Sequence, residues 1–195
     1  MKILAVGDIV GLNGLNKLKE ILPNLKQREK IDFVIVNGEN AADGMGITEK
    51  MYKAILALNV NVVTMGNHTW GKKEIFNFID DKQIIRPANY SKNNPGRGYD
   101  IYECKGKKIA VINLIGRTSM SVLSENPFTV AKEIVDKAMN YLGIGVANAI
   151  SIFDPEMVII GGGVSKVGDI LFDTVKSVVK TRCFKAMSES CEIVP

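Results

Sequence analysis

The chain has 195 residues, of which 46% are hydrophobic and 24% charged, and its net charge is +4. That length can bury a substantial core in one large domain or two small ones, and the balance excludes a disordered chain. The mild positive charge suits an anionic ligand, but Lys and Arg are scattered through helical patterns and not massed, so no specific nucleic-acid partner is expected.

In chain order, Lys2 to Val6 is a short apolar run ending in Gly7-Asp8, the pattern of a buried strand followed by a loop. Leu12 to Arg28 places Leu15, Leu18, Ile21, Leu22 and Leu25 at helical spacing. Asp32 to Asn37 is a second strand, Thr48 to Leu58 a helix with Thr48 as N-cap, and Asn61 to Met65 a third strand. Lys72 to Ile79 is a short helix, and Tyr99 to Cys104 with Lys107 to Leu114 a hairpin turning at Gly106. Strands alternating with helices predict an α/β fold, a mostly parallel sheet sandwiched between helices.

The pattern then changes. Thr129 to Phe153 is a long helical stretch containing Gly143 and Gly145, broken by Asp154-Pro155. Met157 to Ile160 is a strand, Gly161-Gly162-Gly163 a turn, Val167 to Lys180 a helix, and Glu192 to Val194 the start of another strand. The composition predicts a boundary at 124–130, giving segments 1–128 and 129–195. A fragment as short as the second is marginal by itself. Its helix–strand–helix is therefore expected to pack on the first segment's sheet, with Met157 to Ile160 paired to it. The three cysteines (Cys104, Cys183, Cys191) show no C-x-x-C spacing, as expected of a reduced, cytoplasmic protein. The opening MKILAVGDIVG is too soon interrupted by Asp8 for a signal peptide, and no apolar run approaches about 18 residues, so no membrane is expected. The sequons at Asn67 and Asn89 are then coincidental.

Chemistry is expected at the strand ends, because the crevice of an open α/β sheet lies beyond their carboxyl ends. Three successive strands run into Gly7-Asp8, Gly38-Glu39-Asn40 and Gly66-Asn67-His68. Each glycine permits a sharp turn that aims the next side chain into the crevice. Two carboxylates, two amide oxygens and an imidazole thus converge, a donor set suited to Mn, Fe or Zn. A carboxylate between two ions can bridge them, as in two-metal phosphoesterases. One Asp after one strand is more often a turn former; three consecutive strand ends point to a ligand site. His68 is the sole histidine. Two cations beside it would disfavour the imidazolium and a substrate phosphate would favour it, the tuning a general acid needs near neutral pH.

The motifs Gly7-Asp8-Ile9-Val10-Gly11, Asn37-Gly38-Glu39-Asn40-Ala41-Ala42, Thr64-Met65-Gly66-Asn67-His68-Thr69-Trp70, Arg86-Pro87-Ala88-Asn89-Tyr90 and Pro95-Gly96-Arg97-Gly98-Tyr99 stand in this order. With Gly46-Ile47-Thr48, they closely resemble the bacterial 2',3'-cyclic-nucleotide phosphodiesterases (YmdB-like), a branch of the calcineurin-like metallophosphoesterases. The resemblance covers about 1–128. It implies Asp8, Glu39, Asn40 and Asn67 as metal ligands, with Glu39 bridging. His68 would stabilise the transition state and protonate the leaving oxygen. The implied cofactors are two divalent ions, Fe or Mn with Zn or Mg as alternatives, and the implied substrate is a small phosphodiester or cyclic nucleotide. Gly71 stands where the family usually has Asp. In the family's second half a histidine after a later strand and a His-x-His pair complete both metal shells. With none of these, weak and impaired activity is expected.

Residues 131–195, above all Tyr141 to Asn148, Phe153-Asp154-Pro155-Glu156 and Ile159 to Ser165, resemble the C-terminal region of ROK-family sugar kinases and repressors. There the turn matching Gly161, Gly162 and Gly163 lies against ATP; a connection needing φ > 0 would explain three glycines equally well. The kinase's phosphate loop, catalytic Asp and zinc motif have no counterpart, so sugar phosphorylation is not expected. The chain thus reads as a chimera joined near 126–131. Three readings stay open: an impaired metallophosphoesterase, a nucleotide-binding module, and a hybrid fold without evolved activity. Oligomeric state is not fixed by any of these features.

Overall fold

Apolar runs in the first half of the chain pair in parallel, each with the next in sequence. The computed structural model describes residues 1–118, 123–161 and 164–195, and the chain divides into two units, Met1–Val130 and Ala131–Pro195. In the first, β1 (Ile3–Val6), β2 (Phe33–Asn37), β3 (Val62–Thr64) and β4 (Ile84–Ile85) form a four-stranded sheet in the order β1-β2-β3-β4. The register sets Val6 opposite Val36, Asn37 opposite Thr64, and Thr64 opposite Ile85.

Side chains alternate between the two faces of this sheet. Val34, Val36, Val63 and Ile84 face the helices α1 (Gly11–Glu29) and α2 (Glu49–Leu56), meeting Leu15, Leu18, Leu22, Tyr52 and Ile55. Helix α1 tolerates Pro23 within it, and Thr48 caps α2 by accepting from the Met51 amide at 3.3 Å. Phe33, Val62 and Ile85 point the other way, onto Tyr102, Ile109 and Val111 of the antiparallel hairpin β5 (Tyr99–Cys104) and β6 (Lys107–Ile112). The α/β class with a mostly parallel sheet and helices is as the sequence predicts; the second face of the sheet is covered by this hairpin. The expected helix at 72–79 is a 3₁₀ turn over Lys73–Asn77.

The second unit is built on the long helix α3 (Pro127–Phe153), followed by β7 (Met157–Ile159), a 3₁₀ turn (Val164–Val167), α4 (Asp169–Arg182), α5 (Lys185–Ser190) and β8 (Glu192–Val194). Val146, Ala147 and Ile150 of α3 pack on Leu171, Val175 and Val179 of α4 and Ile193 of β8. A Cβ on Gly143 would stand 2.7 Å from Val178 Cβ, so glycine there permits close approach of α3 and α4. The expected pairing of Met157 to Ile160 with the first unit's sheet is not what forms. Strand β7 pairs in parallel with β8, Met157 opposite Glu192 and Ile159 opposite Val194. Residues 192–194 thus supply the ladder partner locally, satisfying the backbone groups along one edge of the strand.

Candidate active site

The sheet register places the ends of β1, β2 and β3 side by side, and backbone bonds carry that alignment past the strands. The Ile9 amide donates to Asn37 O at 3.2 Å, Gly38 to Thr64 O at 3.0 Å, and Met65 to Ile85 O at 2.9 Å. Asp8, Glu39, Asn40, Asn67 and His68 occupy the turns that follow. The Gly11 amide donates to Asn40 O at 3.0 Å, fixing the second turn against the first.

Hydrogen bonds join the side chains of Asp8, Asn40 and His68 to one another and that of Glu39 to the His68 backbone. Asn40 Nδ2 donates to Asp8 Oδ1 at 2.7 Å. That leaves Asn40 Oδ1 turned to His68 Nδ1 at 2.5 Å, so Nδ1 is the donating ring nitrogen and Nε2 is left free of this contact. The His68 backbone amide donates to Glu39 Oε2 at 3.1 Å. Asp8 is exposed, Glu39, Asn40, Asn67 and His68 half-buried. Asn67 shares the turn with His68, but none of these bonds links its side chain to the other four.

Glycine at these strand ends has a different reason from the one expected. None of Gly7, Gly38 and Gly66 has a positive φ. At Gly66 the demand is space: any Cβ would collide with the Glu39 carboxylate. The donor set fits hard divalent cations, with two carboxylates and two amide oxygens within three adjacent turns. Among the described residues no group of three or more His, Cys, Asp or Glu is placed to hold an ion by itself, so the amides must share in any ligation.

Three residues to which no role was given from sequence shape this site from beneath. Thr69 Oγ1 donates to Gly66 O at 2.6 Å, Tyr90 Oη to the same oxygen at 3.1 Å, and Asn113 Nδ2 to Met65 O at 2.6 Å. Thr69 and Tyr90 lie inside the motifs quoted above; Asn113, a polar residue directly after β6, was the signal available for the third.

In the second unit, Gly161 follows β7, is exposed, and would carry a Cβ into open space. Its φ is not positive. Gly162 and Gly163 lie outside the described residues. No described helix is long and apolar enough to cross a membrane.

Comparison with known proteins finds two families, whose matches overlap over residues 112–152. The ROK family matches residues 112–195, and a glucokinase of Halalkalibacterium halodurans is 36% identical over 62 residues, 32% of this chain and 19% of that protein. The 2',3'-cyclic-nucleotide 2'-phosphodiesterase of Bacillus subtilis strain 168 is 48% identical over 139 residues, covering 71% of this chain and 52% of the relative. The crystal structure of a phosphatase from Mycoplasma pneumoniae superposes with a TM-score of 0.66 at 31% identity, over 82% of this chain and 63% of that one. The chain thus spans about half the length of the curated phosphoesterase relatives it matches. Residues 4–152 match the YmdB-like protein family, and the chain belongs to that family.

Proposed function

We propose that residues 1–128 are part of a metallophosphoesterase domain that hydrolyses a small phosphodiester, of the 2',3'-cyclic-nucleotide class. One observation carries this reading: Asp8, Glu39, Asn40 and His68 meet at the ends of three parallel strands, linked by bonds of 2.5–3.1 Å. The relatives' names support the substrate class. Asp8, Glu39, Asn40 and Asn67 would hold divalent cations, Fe or Mn with Zn or Mg as alternatives, and Glu39 would bridge two. A bound cation supplies Lewis-acid polarisation of the phosphoryl group and neutralises its charge. Glu39 is steadied for ligation by the His68 amide and by the gap that Gly66 leaves. Asn40 holds the His68 ring, so that in the imidazolium form Nε2–H is the donor free to protonate the leaving oxygen.

The sequence supplies one histidine, the acid His68, so it contributes no imidazole ligand to the cations. The shell of water and oxygen donors is then loose, metal affinity low and turnover weak. The segment 129–195 is read as a ROK-like helix-strand-helix piece without sugar kinase activity.

Elemental analysis of the purified protein, beside hydrolysis of 2',3'-cyclic AMP with and without excess Mn²⁺, tests this. We expect weak turnover that needs Mn²⁺, stops with chelator, and falls about 10²–10⁴-fold in His68→Ala. Turnover indifferent to chelator would overturn the reading. Silence together with ATP binding would favour a nucleotide-binding module around Gly161, and silence in both a hybrid without evolved activity.

A further inference from the structure

Gly66 is held from both sides. Its Cα lies against the Glu39 carboxylate, where a Cβ has no room. Its carbonyl oxygen accepts from the Thr69 amide at 3.1 Å, Thr69 Oγ1 at 2.6 Å and Tyr90 Oη at 3.1 Å. Thr69 belongs to the same turn, whereas Tyr90 arrives from a separate segment anchored by its neighbour Asn89. Asn89 Nδ2 donates to Ile115 O at 2.8 Å and Glu125 O at 2.9 Å, and its Oδ1 accepts from the Ile115 amide at 2.9 Å.

We infer that Tyr90 is a positioning residue for the site: by fixing the Gly66–Asn67 peptide plane, its hydroxyl sets the launch of Asn67 and His68 and the seat of Glu39. The carbonyl of Gly66 and the amide of Asn67 belong to one planar unit, so a bond to the oxygen orients the next residue. Two residues on, the His68 amide reaches Glu39 Oε2 at 3.1 Å, so rotation of that plane would move both the imidazole and the carboxylate. Tyr90 is 1% exposed. Burial pushes its phenol above the ordinary tyrosine range and the Glu39 charge adds to this, which keeps it a donor. The inference rests on the function proposed above for the site, but not for its test.

The test compares Tyr90→Phe with Tyr52→Phe, which removes another buried phenol hydroxyl, one facing the helix-side core. With a single histidine in the chain, imidazole ¹⁵N spectra of the metal-free protein report His68 alone. The wild type is expected to show mainly the Nδ1-protonated tautomer. Tyr90→Phe should shift toward a mixed population, and Tyr52→Phe should superpose on the wild type. Calorimetric Mn²⁺ titration should show about tenfold weaker binding in Tyr90→Phe alone. Superposable spectra for all three proteins would overturn the inference, as would equal effects of the two substitutions. A wild type that takes up no Mn²⁺ would instead sink the metal reading, and the spectra would still decide the role of Tyr90.

Discussion

The two units of the chain solve the same burial problem to different extents. Residues 1–130 fill both faces of a parallel sheet: Val34, Val63 and Ile84 are sealed on one side, Phe33, Val62 and Ile85 on the other. Residues 131–195 gather a core at the contact of α3, α4 and β8, yet leave Phe153 77%, Ile159 68% and Phe184 80% exposed. The matching glucokinase is covered over only 19% of its length, against 52% for the phosphodiesterase. The lesson is that the first unit closes its core because its strands pair in chain order and the following hairpin caps them. The second unit rests on contacts of α3 and α4 with each other and with its own strands.

The largest effect that would sharpen this contrast is a core truncation. Phe33→Ala should cost about 3–5 kcal/mol in urea unfolding monitored on the first unit, whereas Phe184→Ala should change stability by less than about 0.5 kcal/mol. Equal costs would break the comparison. Next comes the buried polar staple. Asn89→Ala strands the Ile115 amide and two carbonyls, and should cost about 1–3 kcal/mol. Cys183→Ala loses the weak donation of its Sγ to Ala147 O at 3.3 Å and the weak bond that Sγ accepts from Ser151 Oγ at 3.6 Å, for under about 1 kcal/mol by the same measurement.

The smallest effect is a pH dependence confined to the first unit. The Lys105 ammonium, then the Lys2 amide, hold the Asp32 carboxyl below its ordinary value of 3.8. The same contact raises Lys105 above its ordinary 10.5. A depressed carboxylate stabilises the fold above its unfolded value and loses that contribution as pH falls through the folded one. A raised ammonium stabilises below its unfolded value and loses the contribution as pH rises through the folded one. Stability of the first unit should therefore be flat between these limits and decline below about pH 3.8, and Asp32→Asn should reduce the acid slope. An unchanged slope in thermal melts would show that the pair is decorative.

Legibility of the sequence followed element length and locality. The strands β1 to β3 and helix α1 announce themselves, because their apolar runs and the 3–4 residue spacing from Leu15 to Leu22 span enough chain to carry a period. Strand β4 has two residues, Ile84–Ile85, too few for any period. Helix α5 is six residues, Lys185–Ser190, none of them buried, so no apolar face betrays it. At the site, Asp8, Glu39, Asn40 and His68 were readable because strand-end position is a local property. The partners of Gly66 and Met65 were not, since Tyr90 and Asn113 act across 24 and 48 positions of sequence.

The chain-order sheet has a consequence for synthesis. Each strand of β1-β2-β3-β4 pairs with the one made just before it, so loop closures stay short and no strand waits for a distant partner. As the polypeptide emerges from its N-terminus, the turn with Asp8 is laid down first, that with Glu39 and Asn40 second, and that with Asn67 and His68 third. The cluster of Asp8, Glu39, Asn40 and His68 would thus be assembled before the second unit is translated. A nascent chain arrested once residue 130 has cleared the ribosome should already protect the β2 amides from exchange.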